Sequence, residues 1–230
     1  MANDIDIGLF SINTDHLVDA EALSTVAMAA EEAGFESVWT AEHVVLPDPQ
    51  MPPSPLPPDA ELLDPTVALG YVAAVTTRIK LATGIIILPQ RNPLVLAKEL
   101  ASVDVLSNGR MLFGVGVGYL EPEFDAIGIP MEDRGRRTTE YIEAMRSIWN
   151  DEDPAYEGDY VSFAGVKAFP RPIQPLGPPV IMGGHSIPAW RRSVTHSQGW
   201  YGFMLDPEAT SANLAGLLEA DQKYERPSEL

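Results

Sequence analysis

Cysteine is absent from the 230-residue chain, which removes disulfides, thiolate nucleophiles, iron–sulfur clusters and cysteine zinc sites together. Redox chemistry here would need a bound organic cofactor. Basic residues are scarce, 15 Lys and Arg against 33 Asp and Glu for a formal charge of −18. Such a surface repels nucleic-acid phosphates and anionic lipid, so neither is an expected partner. No run approaches the ~18 apolar residues of a membrane span. Met1-Ala2-Asn3-Asp4 lacks a basic region followed by an apolar stretch, so a cytoplasmic protein is expected. GxSxG, P-loop and HExxH signatures are missing as well. What is plentiful is apolar material: 45% of residues are hydrophobic and 21% charged. That is enough for one substantial core, and residues 1–230 read as a single α/β domain.

Strand and helix patterns alternate along the chain. Ile5, Ile7 and Leu9 alternate as a strand, and Leu23, Val26, Ala27, Ala30 and Ala33 follow at helical spacing up to Gly34. A second strand, Ser37 to Ala41, leads into a loop over 44–63 holding seven prolines. That loop is too long for a plain connection and reads as a lid or an excursion. Asp64-Pro65 opens a helix to about Thr77, and the almost wholly apolar run Ile79 to Leu88 suits a parallel strand buried on both faces. Asn92-Pro93 starts the next helix, and Met111 to Gly118 form strand four. The helix Arg136 to Trp149 follows, and residues 151–178 read as a hairpin insertion. Val180-Ile181-Met182 and Trp200 to Phe203 are strands five and six, each followed by a helix. Such alternation implies parallel pairing, as an open doubly wound sheet or a (β/α)₈ barrel. The chain stops at Pro227-Ser228-Glu229-Leu230, where a barrel would require a seventh strand.

In either architecture the functional face is the carboxyl end of the strands. Glu42 and His43 end strand two beside the proline-rich loop. A histidine there can donate or accept a proton near neutral pH; a structural histidine is the alternative. Thr83 and Gly84 interrupt strand three, where glycine marks close backbone approach or a bulge. Gly114, Gly116 and Gly118 are spaced by two within a strand, so they fail as a dinucleotide fingerprint. They would instead bare one face to a flat ring or a neighbouring side chain. Gly183-Gly184-His185-Ser186 runs into a helix N-terminus and is the best phosphate candidate, with a plain turn and a Ser186 cap as the alternative. Glu121, Glu123 and Asp125 lack a histidine at ligand spacing and read as a solvated loop and helix start, so no metal site is expected. Arg136-Arg137 and Arg191-Arg192 are expected on helix surfaces, where either pair could also reach an anionic cofactor tail.

Taken together, the segments from Glu36 to His43, from Thr83 to Pro93, from Ala97 to Ala101, from Leu106 to Arg110 into Gly118, and from Pro178 to Gly184, with Gly199-Trp200, resemble the luciferase-like monooxygenases. They run in family order across nearly the whole chain. The resemblance implies a TIM (β/α)8-type barrel, here apparently truncated after about six βα units. Tyr119 to Phe124 and Asp133-Arg134-Gly135-Arg136-Arg137 resemble the branch that uses the deazaflavin F420. By that likeness, the chain is an F420-dependent oxidoreductase moving a hydride to or from a small organic substrate. An FMN-dependent monooxygenase and a non-catalytic flavin binder are the alternatives. The resemblance further implies that His43 manages a proton near the ring, with Glu42 beside it. Gly84-Ile85 matches the non-proline cis peptide that bulges against the ring's back face, with Thr83 and Gly118 nearby. Gly183, Gly184, His185 and Ser186 match the region approaching the cofactor phosphate. Some F420 dehydrogenases carry a glutamate where this chain has Tyr119-Leu120, so the likeness does not extend to a sugar-phosphate substrate. The protein partner expected is a second copy of the chain, as a homodimer.

Overall fold

The computed structural model describes residues 5–228 and 230; residues 1–4, the N-terminal tetrapeptide read above, and Glu229 lie outside them. Strand β1 (Gly8–Phe10) is followed by helix α1 (Ala20–Glu32), β2 (Ser37–Thr40) by α2 (Pro65–Val75), and β3 (Lys80–Thr83) with β4 (Ile86–Ile87) by α3 (Pro93–Leu106). Strand β5 (Met111–Gly116) precedes α4 (Glu121–Ile127) and α5 (Arg134–Asn150). The pair β6 (Tyr156–Glu157) and β7 (Ser162–Phe163) comes next, then β8 (Val180–Gly183), α6 (Ile187–His196), β9 (Gly199–Tyr201) and α7 (Pro207–Lys223). Helix starts follow local chemistry. Asp64 accepts from the N–H groups of Thr66 and Val67, Asn92 from those of Leu94 and Val95, and Pro65 and Pro93 occupy the first turns, where a missing N–H costs nothing.

The main strands are all parallel, in the order β1-β2-β3-β5-β8-β9, with β4 also on β5. Six flat strands would hold the outer two about 24 Å apart, yet the Phe10 ring on β1 lies 6.4 Å from that of Tyr201 on β9 and 5.6 Å from that of Phe203. The sheet is therefore strongly curled, a half-barrel with helices outside it. Among the described residues β1 and β9 do not pair with each other. Leu81, Phe113, Val115 and Met182 are fully buried within it, and Leu69, Val72, Leu96 and Leu100 close the layer between sheet and helices. No described helix is long and apolar enough to cross a membrane.

The expected strand Ile79 to Leu88 is not continuous. It breaks between β3 and β4 at Gly84-Ile85, whose peptide is cis. Ala82 and Ile86 are four positions apart, but their β5 partners Leu112 and Val115 are only three apart. One extra residue is thus accommodated as a bulge at the carboxyl end of the sheet. The hairpin of β6 and β7 is antiparallel and is pinned at its turn by Glu140, which accepts from the N–H groups of Asp159, Tyr160 and Val161.

The proline-rich loop is tied at both ends by one side chain. Asn13, fully buried, donates to the carbonyls of Ala41 and Leu63 and accepts from the Ala41 N–H at 2.7 Å. Replacing Asn13 by Ala would strand those groups at the loop base. A loss of about 2–3 kcal/mol, measured from the urea midpoint, is the expected result; a loss within error would show that water takes over the clamp.

Candidate functional site

The bulge explains the glycines of β5. A Cβ built on Gly114 would collide with the Thr83 carbonyl oxygen, one on Gly116 with Cδ1 of Ile85, and one on Gly183 would come within 2.8 Å of that same Cδ1. Of the two readings of the bared strand face, a ring or a neighbouring side chain, Ile85 and the Thr83 backbone supply the occupant. The Thr83 hydroxyl is buried too and donates to the Gly114 carbonyl at 2.7 Å, so it braces the bulge from within. Gly84 sits against the Thr40 carbonyl, Trp39 and Phe10. Trp39 in turn packs on Tyr201 with ring centroids 5.3 Å apart, so the bulge stands beside an aromatic wall. Gly118, at φ +77°, turns the chain out of β5 against Ile87 and Phe124.

His43 stands at the exit of β2 with its side chain 8% exposed. Its Nδ1 lies 3.2 Å from Oε2 of Glu123, whose other oxygen accepts from the Val44 N–H at 2.6 Å. A carboxylate in that position accepts, so the ring proton resides on Nδ1 and Nε2 is left as acceptor. Nε2 faces the Tyr119 hydroxyl at 3.4 Å. Burial and then the Glu123 charge push the Tyr119 phenol above its ordinary pKa, which keeps its proton available to donate. A buried carboxylate, an imidazole and a half-exposed phenol thus form one hydrogen-bonded chain between the exits of β2 and β5.

Glu123 corrects the sequence reading. Expected on a solvated loop with Glu121 and Asp125, it is fully buried, while the other two are exposed. Leu120, Glu123, Phe124 and Ile127 follow the three-four spacing of one helix face. That pattern, read over 120–127, was the signal for a short helix holding an inward carboxylate.

Glu42 is buried, and its carboxylate accepts from the Ile87 N–H and from Arg91; it does not contact the His43 ring. Arg91 also donates to Asp64 at 2.7 Å. Burial by itself would lower the Arg91 guanidinium, but the charges of Glu42 and Asp64 and their hydrogen bonds carry it above its ordinary value. Glu42 therefore fixes the backbone just past the bulge to the start of α2. Beside this network is a cavity of about 330 Å³ lined by His43, Glu42, Leu62, Gln90, Arg91 and Ile127. Both polar atoms of the Gln90 amide are buried without a partner.

Gly183 ends β8, and Gly184, at φ +118°, turns the chain toward α6. The Gly184 carbonyl accepts from the Trp200 indole at 2.8 Å, and His185 Nε2 accepts from the Phe203 N–H at 3.0 Å. Ser186 holds the cap position of α6 but its side chain makes no cap hydrogen bond, so the helix begins with unused N–H donors. Of the arginine pairs, Arg136 and Arg191 are exposed, as expected of helix surfaces. Arg192 is not; it is 5% exposed, because it shares the inward face of α6 with Ala189 and Ser193. Among the described residues no group of three or more His, Cys, Asp or Glu could hold a metal ion.

A family model described as luciferase-like monooxygenase matches residues 9–230. The uncharacterized protein Rv0953c of Mycobacterium tuberculosis is 35% identical over 185 residues, covering 77% of this chain and 66% of the relative. The F420-dependent glucose-6-phosphate dehydrogenase of Amycolatopsis mediterranei is 32% identical, covering 69% of this chain and 46% of the relative. The FMNH2-dependent dimethylsulfone monooxygenase of Pseudomonas fluorescens is 31% identical, covering 76% and 46%. Among solved structures, monooxygenase RslO1 from Streptomyces bottropensis superimposes with a TM-score of 0.77 at 26% identity, over 95% of this chain and 66% of that one. The chain thus spans about two thirds or less of the length of these relatives.

Proposed function

The chain belongs to the luciferase-like monooxygenase family, and we propose that it is an F420-dependent oxidoreductase that transfers a hydride between the deazaflavin and a small organic substrate. The observation that carries this reading is the Glu123–His43–Tyr119 chain, a proton-handling device at the carboxyl end of the sheet beside the bulge. The residues fit such a cofactor. The bulge next to an aromatic wall suits a flat ring, and the uncapped start of α6 suits a phosphate.

Gly84, Ile85 and Gly118 would back the ring, and Gly183, Gly184, His185 and Ser186 would receive the phosphate. The bound deazaflavin supplies a carbon centre that gives or takes a hydride. His43 Nε2 accepts the proton that a substrate O–H or N–H loses as its carbon is oxidised, and returns it in reduction. Glu123 holds the imidazole in the tautomer that makes Nε2 the acceptor, and Tyr119 steadies that nitrogen at the site. The cavity beside His43 takes the substrate, and the proline-rich loop shields it from water.

A second reading, an FMN-dependent monooxygenase, is favoured by the 31% identity to the FMNH2-dependent relative. Titration of the purified protein with F420 and with FMN separates the two. We expect F420 to bind at least about tenfold more tightly, a difference of about 1.4 kcal/mol. Tight FMN binding with no F420 binding would sink the leading reading, and binding without turnover over a substrate panel would favour a non-catalytic flavin binder.

A further inference from the structure

Arg192 is a buried guanidinium with nothing to neutralise it. It is 95% buried by its 5% exposure, no hydrogen bond or ion pair reaches it, and its Nε is enclosed without a partner. A charge so placed is strongly unfavourable unless a counter-charge completes the site. Its neighbours worsen the balance. Burial, then the like charges of Arg191 and Arg134, pull its pKa below the ordinary arginine value.

The tip of this side chain lies against the first turn of α5: Nη1 is 3.2 Å from where a Cβ on Gly135 would stand. Helix α5, 17 residues long, starts without a side-chain cap, because Asp133 turns its carboxylate to Arg136 instead. Of the first-turn N–H groups, that of Arg134 donates to the Met131 carbonyl; those of Gly135 and Arg136 have no such partner and bring the positive end of the helix dipole beside the Arg192 tip. Arg134, on that turn, gives Nη1 to the Met131 carbonyl but keeps a buried, unpartnered Nε. The carboxylates of α5 are committed elsewhere. Glu140 holds the hairpin turn, and Glu143 pairs with Tyr156 and His196. In a chain of formal charge −18, Arg192 and Arg134 thus gather positive charge at the start of α5 with no ion pair to either among the described residues.

We propose that Arg192, Arg134 and the first turn of α5 form a binding site for an oxyanion, a phosphate ester or a carboxylate. The planar guanidinium supplies paired donors to such a group, and the helix N–H groups supply the rest. The anion has two possible sources, free phosphate or the charged tail of the bound cofactor; only the second rests on the functional reading above.

The test compares wild type with Arg192→Met and Arg134→Met by thermal unfolding in sodium chloride and in inorganic phosphate at equal ionic strength. Phosphate should raise the wild-type Tm by about 3 °C or more, and Arg192→Met should abolish the rise. In chloride, Arg192→Met should melt no lower than wild type, since it no longer buries a bare charge. Calorimetric titration of the wild type with phosphate provides a reading even if a variant fails to fold. No binding to wild type, or equal phosphate stabilisation of wild type and a folded Arg192→Met, overturns the site. A second arm measures F420 against its chromophore lacking the phosphodiester tail. If Arg192→Met removes the preference for the tailed form, the tail is the occupant; if the preference survives while the phosphate response is lost, free phosphate is. A wild type that binds phosphate but no deazaflavin or flavin keeps this site and removes the cofactor reading.

Discussion

Replacing Gly114 by Ala should prevent the protein from reaching a stable fold. The new methyl would collide with the Thr83 carbonyl oxygen, and backbone cannot yield there without breaking the pairing of β3 with β5. Ordinary overpacking costs about 1–3 kcal/mol because side chains shift aside. Here the obstacle is a peptide group fixed by the sheet, so the loss should exceed about 4 kcal/mol, a large share of a domain's stability. Loss of a cooperative transition in far-UV circular dichroism is the readout. Gly116→Ala is the contrast, since its methyl meets only the flexible end of Ile85. It should cost less, and the added substitution Ile85→Ala should recover part of the loss through a coupling that separated sites do not show. A Gly114→Ala protein as stable as wild type would mean the bulge is not where these glycines put it.

The second large effect concerns turnover. His43→Ala should lower kcat by about 10²–10⁴-fold, the usual span of general acid–base catalysis, while cofactor affinity stays nearly unchanged. Glu123→Gln separates positioning from chemistry. With its oxygen kept on the Val44 N–H, the amide turns its NH2 toward Nδ1, which places the imidazole proton on Nε2 and removes the acceptor facing Tyr119. We expect a kcat fall of at least about tenfold, a displaced pH profile and an unaltered KM. If His43→Ala leaves turnover intact, His43 is a structural residue; if Glu123→Gln changes only stability, Glu123 serves the loop backbone alone.

Much of the fold was legible because parallel strands buried on both faces leave long apolar runs, and because Asp64-Pro65 and Asn92-Pro93 announce helices through capping chemistry. The break in the third strand was only half legible. Gly84 signals an irregularity, but the extra residue appears only when β3 and β4 are aligned with β5. At the candidate site, the position of His43 at a strand exit was readable from the sequence. Its carboxylate partner was not the adjacent Glu42 but Glu123, which is 80 residues away in sequence. Charge composition misled at that point: three acidic residues in a short stretch suggest solvent, whereas helical spacing turns Glu121 and Asp125 outward and Glu123 inward. Arg192 failed for the same reason, since adjacent arginines occupy different faces of one helix.

The Asn13 clamp makes the loop over 44–63 modular. Both of its ends hang from a single amide on the β1 side of the sheet, so the geometry of β2 and α2 is insulated from what lies between them. Lengthening such a closed excursion costs only about 0.6 kcal/mol for each doubling. Residues at the middle of the loop can be inserted, removed or exchanged while Ala41 and Asp64 keep their places. On the proposed function, the loop tip could therefore vary in sequence without disturbing the strand exit that Asn13 holds.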